Sequence, residues 1–320
     1  MPSSFLTTTA VTLLICAASI GAAAAVGGPD FSPNFSDGFS LFDGRPRCQA
    51  VTGATATSRE MDWDGSDKAG LSLMGEARYT PGAGDKLQAS GDPQVLAHLR
   101  IRNGTVEMDC RGWRDRTKDV VVNLPGRTFE KFHVSGGRLI LNRLDQQHLS
   151  VSIAGSGKVQ ANGKAEEVKF SIAGSGEMNL DQITASRGEM KIAGSGTMRA
   201  GSVAIGELEM GIAGSGRAEF GQLRSRAAEI GIAGSGTVIA KGAADNLKID
   251  ISGSGRADFG EVVSRTTDAE ISGHGEVAMA PSETARIRIS GSGDVYLRSN
   301  PGTLDTKISG SGRIHRGPGT

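Results

Sequence analysis

Aromatic residues are scarce, with Phe, Trp and Tyr together making up 4% of 320 residues. That argues against a globule packed around thick aromatic layers. Net charge is missing as well, since 35 basic residues balance 35 acidic ones. A neutral chain has no field to draw it to nucleic acid or to an anionic membrane surface, so neither is expected as a partner. The five histidines, at 98, 133, 148, 274 and 315, lack metal-ligand spacing and cysteine companions. No glycine-rich turn leads into a helical pattern or ends in Gly-Lys-Ser/Thr, which excludes a phosphate cradle. No Asp stands beside the glycines where a calcium-binding nonapeptide would need it. Neither a metal nor a cofactor is therefore expected.

Long apolar runs are confined to the first residues. Ala10 to Val26 is uncharged and apolar and contains Ala22-Ala23-Ala24-Ala25, small residues that a signal peptidase accepts. Residues 1–25 read as a cleaved export signal, leaving no membrane span in the mature chain. Residues 26–56, rich in Pro, Gly, Ser, Asp and Thr, read as a mobile leader. Cleavage removes Cys16 and leaves Cys48 and Cys110, which either form one disulfide or remain two separate buried thiols.

Glycine is what the chain has in abundance, 47 residues of it, and much of it is periodic. An Ile-Ala/Ser-Gly-Ser-Gly stretch occurs nine times, with first glycines at 155, 174, 194, 214, 234, 253, 273, 291 and 310; His274 replaces Ser in the seventh copy. The intervals are 18 to 20 residues, the mark of a solenoid in which each repeat is one coil. Each copy opens with an isoleucine: Ile153, Ile172, Ile192, Ile212, Ile232, Ile251, Ile271, Ile289 and Ile308. Two positions upstream lie Val151, Phe170, Met190, Met210, Ile230, Ile249, Ala269 and Ile287, with Thr306 as the exception. This alternation is the period of a strand with one buried face. The sequence thus predicts an all-β fold, a parallel β-helix of about 19–20 residues per coil over residues 151–316, with the isoleucines stacked inside.

Within each copy the glycine pair, for example Gly194 and Gly196, reads as an inward-facing corner where a Cβ would clash, and the intervening Ser as an outer hydroxyl column. A second apolar point is expected at Ile183, Val203, Leu223, Ala243 and Val262, followed by a short polar outer loop such as Thr184 to Gly188 or Ser264 to Asp268. Residues 57–150 predict a less regular β-rich part with the first coils. Val120 to Leu124 reads as a strand stopped by Pro125, Asn103-Gly104 as a hairpin turn, and His133 to Gly137 as a degenerate first copy.

The serial Gly-Ser-Gly copies, together with Leu-Pro-Gly-Arg-Thr-Phe-Glu-Lys-Phe-His-Val-Ser-Gly-Gly at 124–137, resemble the bacterial GIN domain, described as a putative auto-transporter adhesin head of unknown function. The resemblance covers roughly residues 57–314 and implies an exported parallel β-helical protein, periplasmic or on the cell surface.

For chemistry, Glu276 and Asp294 fall at the same position of neighbouring coils and form a candidate carboxylate pair, which a polysaccharide lyase or hydrolase would need. The same column carries Lys158, Arg217, Arg256 and Arg313, the composition of a solvated mixed-charge face. Tyr296 and His315 project from one outward column, and His274 breaks the Ser column. A non-catalytic module for adhesion, binding or envelope scaffolding is the reading these residues favour. Its partner is expected to be an envelope glycan or a protein, and the residues do not single out which. Gly317-Pro318-Gly319 cannot continue a strand and is expected to help close the far end.

Overall fold

The computed structural model describes residues 44–317. The expected signal at 1–25, the leader as far as residue 43, and Pro318-Gly319 lie outside the described residues. The fold is nearly all-β, a parallel β-solenoid of about nine turns.

At the N-terminal end the strands are short and mixed in direction. β1 (Ser58–Met61) pairs antiparallel with β4 (Leu87–Ser90), which pairs antiparallel with β7 (Val121–Asn123). β2 (Lys68–Leu71) and β3 (Glu76–Tyr79) already follow the solenoid path, lying parallel to β8 (Lys131–Val134) and to β9 (Arg138–Gly155). β5 (Leu99–Arg102) and β6 (Thr105–Met108) form the expected hairpin, its turn made by Asn103 and Gly104 at φ 48° and 72°. Positive φ at both turn residues matches the twist of the strands it joins. Several of the scarce aromatics gather here. Trp63, Tyr79, Phe129 and Phe132 pack with ring centroids 5.1–5.9 Å apart, and the Tyr79 hydroxyl donates to the Arg127 carbonyl at 2.9 Å.

The chain is fastened to this layer well before residue 57. Cys48 and Cys110 form a disulfide across 62 residues, and the Cys48 amide donates to the Arg111 carbonyl at 3.0 Å. The Val51 amide donates to the Gln94 side chain at 2.7 Å. Within the expected leader, residues 47–51 are thus held against the cap, because Cys48 pulls them there. Closing a loop of that length is worth about 2–4 kcal/mol. Both tryptophans, Trp63 and Trp113, lie in this layer and report on it. In a Cys48→Ser/Cys110→Ser variant the tryptophan-fluorescence transition in urea should move to lower denaturant. The far-UV signal of the coils should follow its original course; coincident shifts of both would show that the bridge supports the whole molecule.

Above β9 the winding is regular. β10 (Lys158–Gly174), β11 (Glu177–Gly194), β12 (Thr197–Gly214), β13 (Arg217–Gly234), β14 (Thr237–Gly253), β15 (Arg256–Gly273) and β16 (Glu276–Gly291) each pair in parallel with the next. The stack ends with β17 (Asp294–Leu297) and β18 (Thr303–Gly310) on β16, and β19 (Arg313–Arg316) on β17. Register brings Ile153 opposite Ile172, and so on through Ile289 opposite Ile308. Eight of the nine isoleucines are at most 2% exposed. Ile308 departs from the expectation at 43%, because no further coil lies over it among the described residues.

The glycine corner explains why Ile and Gly-Ser-Gly recur together. A Cβ on Gly196 would sit 2.5 Å from Cγ2 of Ile172, so each isoleucine fills the space beneath the second glycine of the next copy. The first glycine does something else. Gly194 has φ +116°, and a Cβ there would stand 2.6 Å from the Gly174 carbonyl oxygen. It is exposed rather than inward-facing, a correction to the expected corner: one glycine answers to the core, the other to the backbone of the coil below.

Two further expectations are corrected. The segments read as polar outer loops continue as strand, and they contribute a third buried column through Val168, Gly188, Leu208, Ala228, Leu247, Thr267 and Ala285. Ser264, placed in such a loop, is buried, its hydroxyl 2.7 Å from that of Thr267. Ala243 is exposed and Ala244 takes the inward place, because the register shifts between Phe220 and Leu223 and sets Gly242 opposite Leu223. Length differences between coils are absorbed at this second corner, where Gln182 adopts φ 54° as the extra residue of its coil, and between β15 and β16 also at Ser264–Thr266. The Gly-Ser-Gly corner keeps constant register throughout.

Candidate functional site

Parallel stacking turns each sequence position into an outward column, so side chains one coil apart face one another. Opposite charges exploit this. Lys158 meets Glu177 at 3.2 Å, Arg199 reaches Glu177 at 2.7 Å, and Lys248 meets Glu229 at 2.7 Å. Hydrogen bonds from Lys158 hold the Glu177 carboxyl below its ordinary range. The flank is a self-neutralised lattice on a rigid sheet.

Glu276 and Asp294 do stand opposite each other in register. Each is claimed from its other side. Arg256 lies 2.7 Å from Glu276, and Arg313 grips Asp294 through two nitrogens at 3.0 and 3.2 Å. His315 Nε2 adds a contact to Asp294 at 3.3 Å. Arg313 above all, then His315, lowers the Asp294 pKa, so this carboxyl is ionised at neutral pH and is no proton donor. Two arginines fold the pair into the charge lattice.

Tyr296 sits one residue beyond the pair's strand neighbour and is brought to His315 by the β17–β19 register. The rings stack at 4.7 Å with 13° between planes, and the Arg298 guanidinium lies 5.6 Å from the tyrosine centroid. Tyr296 is half-buried and His315 exposed, so the stack presents an edge and one face to solvent. His274 lies apart from this group, exposed on the glycine corner, and its ring makes no hydrogen bond or ion pair among the described residues.

A second polar group escaped sequence reasoning. His98 Nδ1 lies 2.8 Å from Asp109, whose other oxygen meets Arg100 at 2.8 Å. Trp113 packs edge-on to His98 at 5.5 Å, with Arg116 over its face at 4.2 Å. Cys110 is close enough to complete a metal-ligand trio, but its sulfur is bound to Cys48 and has no thiolate to offer. The only advance signal was the hairpin that sets Leu99 opposite Met108 and so draws His98 to Asp109.

No helix among the described residues is long and apolar enough to cross a membrane. No curated protein matches the sequence. Among solved structures, the chain is similar to a putative lipid binding protein from Parabacteroides distasonis, with 17% identity and a TM-score of 0.45, over 81% of this chain and 96% of that one. A putative adhesin from Parabacteroides merdae is similar at 16% identity and a TM-score of 0.44, over 81% and 95%. The model of one family, putative auto-transporter adhesin, head GIN domain, matches residues 95–205 and 200–301. These matches cover well over half of the chain, which belongs to the GIN-domain family of putative auto-transporter adhesin heads.

Proposed function

We propose that the protein is an exported, non-catalytic binding module of the bacterial envelope that works as an adhesin head and receives an envelope glycan at the Tyr296–His315 stack. The observation that carries this reading is the stacked, solvent-facing ring pair flanked by Arg298 and by the charge-held Asp294. A sugar ring offers an apolar face to an aromatic and hydroxyls to charged neighbours, and this group supplies both. The family description supports a binding role, and Arg313 keeps Asp294 ionised, so that member of the carboxylate pair is not a general acid.

The test is surface binding of solubilised envelope polysaccharides and peptidoglycan fragments. Tyr296→Ala should weaken binding about tenfold, the worth of one lost stacking contact. Ser195→Ala, on the distant glycine corner, should leave it unchanged. Equal binding by Tyr296→Ala and wild type, or capture of envelope protein with no glycan bound, would overturn the proposal.

A further inference from the structure

The two ends of the solenoid are not alike. The N-terminal end is covered by the antiparallel β1–β4–β7 layer and the disulfide-bound segment. At the other end β18 pairs with β16 along one edge, and its opposite edge has no partner among the described residues. Leu304, Thr306 and Ile308 sit in register over Ala285, Ile287 and Ile289 and share their inward direction. Ile308 is 43% exposed where Ile289 beneath it is 2%. An open edge with apolar residues along its core side is a template for another strand.

The sequence of β18 names the strand that fits. Read about Thr306, the segment Thr303-Leu304-Asp305-Thr306-Lys307-Ile308-Ser309 is its own complement. In an antiparallel pair of two copies centred on Thr306, Asp305 stands opposite Lys307 and Leu304 opposite Ile308, each twice, with Thr303 opposite Ser309. Directly opposed residues of an antiparallel pair lie on one face, so both apolar pairs stay inside and both charge pairs stay outside. The charge lattice also leaves a place for this partner. Lys307 lies over Arg288, a like charge that is itself drawn to Asp268 at 3.3 Å, and Lys307 has no acidic partner among the described residues. Asp305, by contrast, already has Arg286 at 3.5 Å beneath it and can take a second cation from above.

We propose that the protein forms a twofold dimer, tail to tail, by antiparallel pairing of β18 with β18 of a second copy about Thr306. The contact is isologous, so it closes at two copies. At the N-terminal end the edge strand β1 (Ser-Arg-Glu-Met) lacks the self-complementary sequence of β18, so the same pairing is not repeated there.

Sedimentation velocity of the mature chain tests this, between about 1 and 100 μM, a range that spans ordinary dimer affinities. A monomer–dimer equilibrium is expected. Asp305→Lys turns two attractive pairs into two repulsive ones and should raise the dimer dissociation constant on the order of thirtyfold. Lys307→Glu should do the same while gaining Arg288 as a neighbour within its own chain, so misfolding cannot account for the loss. The double exchange Asp305→Lys/Lys307→Asp restores opposite charges across the twofold and should restore the dimer. A monomer at every concentration, growth past the dimer, or a dimer indifferent to both single changes would overturn the proposal. Tyr296→Ala should dimerise normally, and a monomeric Lys307→Glu chain should still bind glycan, so each proposal can fail without the other.

Discussion

Gly194→Ala should lower the stability of the solenoid by about 3 kcal/mol or more, a large effect for a single methyl group. Two costs combine. At φ +116° an L side chain occupies a sparsely populated backbone region, and the new carbon would stand 2.6 Å from the Gly174 carbonyl oxygen. Neither can relax alone, because Gly174 makes the same approach to Gly155 and Gly214 makes it to Gly194. Moving one carbonyl disturbs the spacing of the coils on both sides. Gly211→Ala supplies the contrast. That glycine lies on the outward face of β12, one coil on and opposite Lys191, has ordinary φ, and its Cβ would meet nothing closer than Lys191 Cγ at 3.8 Å. It should be neutral or stabilising by up to about 1 kcal/mol through the unfolded chain. Urea midpoints followed by far-UV circular dichroism separate the two; similar losses at both positions would remove the corner argument.

Ile212→Ala should cost about 2–5 kcal/mol, the range for emptying a packed aliphatic site. Ile212 is 2% exposed, stands in register between Ile192 and Ile232, and lies under Gly236, whose missing Cβ leaves room for its Cγ2. A cavity there cannot collapse easily, because the coils above and below are held at strand spacing along their whole length. Ile308→Ala removes the same atoms from a half-exposed site and should cost under about 1 kcal/mol in dilute monomer. The ratio of the two effects measures how far the end coil differs from the middle.

The winding was legible because a solenoid repeats its constraints. Each isoleucine and each glycine pair answers to the same neighbour one coil away, so the sequence writes the solution nine times. The third buried column was not legible, because its members range from Gly188 to Leu208 to Thr267, small and polar residues mixed with large. The space beside Gly188 is filled from outside the column, by Ile205, whose Cδ1 lies 2.8 Å from where a Gly188 Cβ would be. A column whose residue type changes from coil to coil leaves no periodic signal. The slip from Ala243 to Ala244 has a similar origin, since a one-residue shift at the second corner reverses inward parity locally. For the candidate site, the outward columns followed from the repeat, which put Tyr296 with His315 and Glu276 with Asp294. The grip of Arg256 and Arg313 on those carboxylates depends on side-chain reach between coils, which residue spacing alone does not state.

The account rests on coils stacked in parallel, one strand spacing per copy. Distances between spin labels on the exposed corner serines measure this directly, with Ser156 paired in turn with Ser215, Ser254 and Ser292 in dilute protein. These sites are three, five and seven copies apart. The separations should rise linearly through about 14, 24 and 34 Å, a slope of about 4.8 Å per copy. Separations that level off, or that follow no line with copy number, would contradict it.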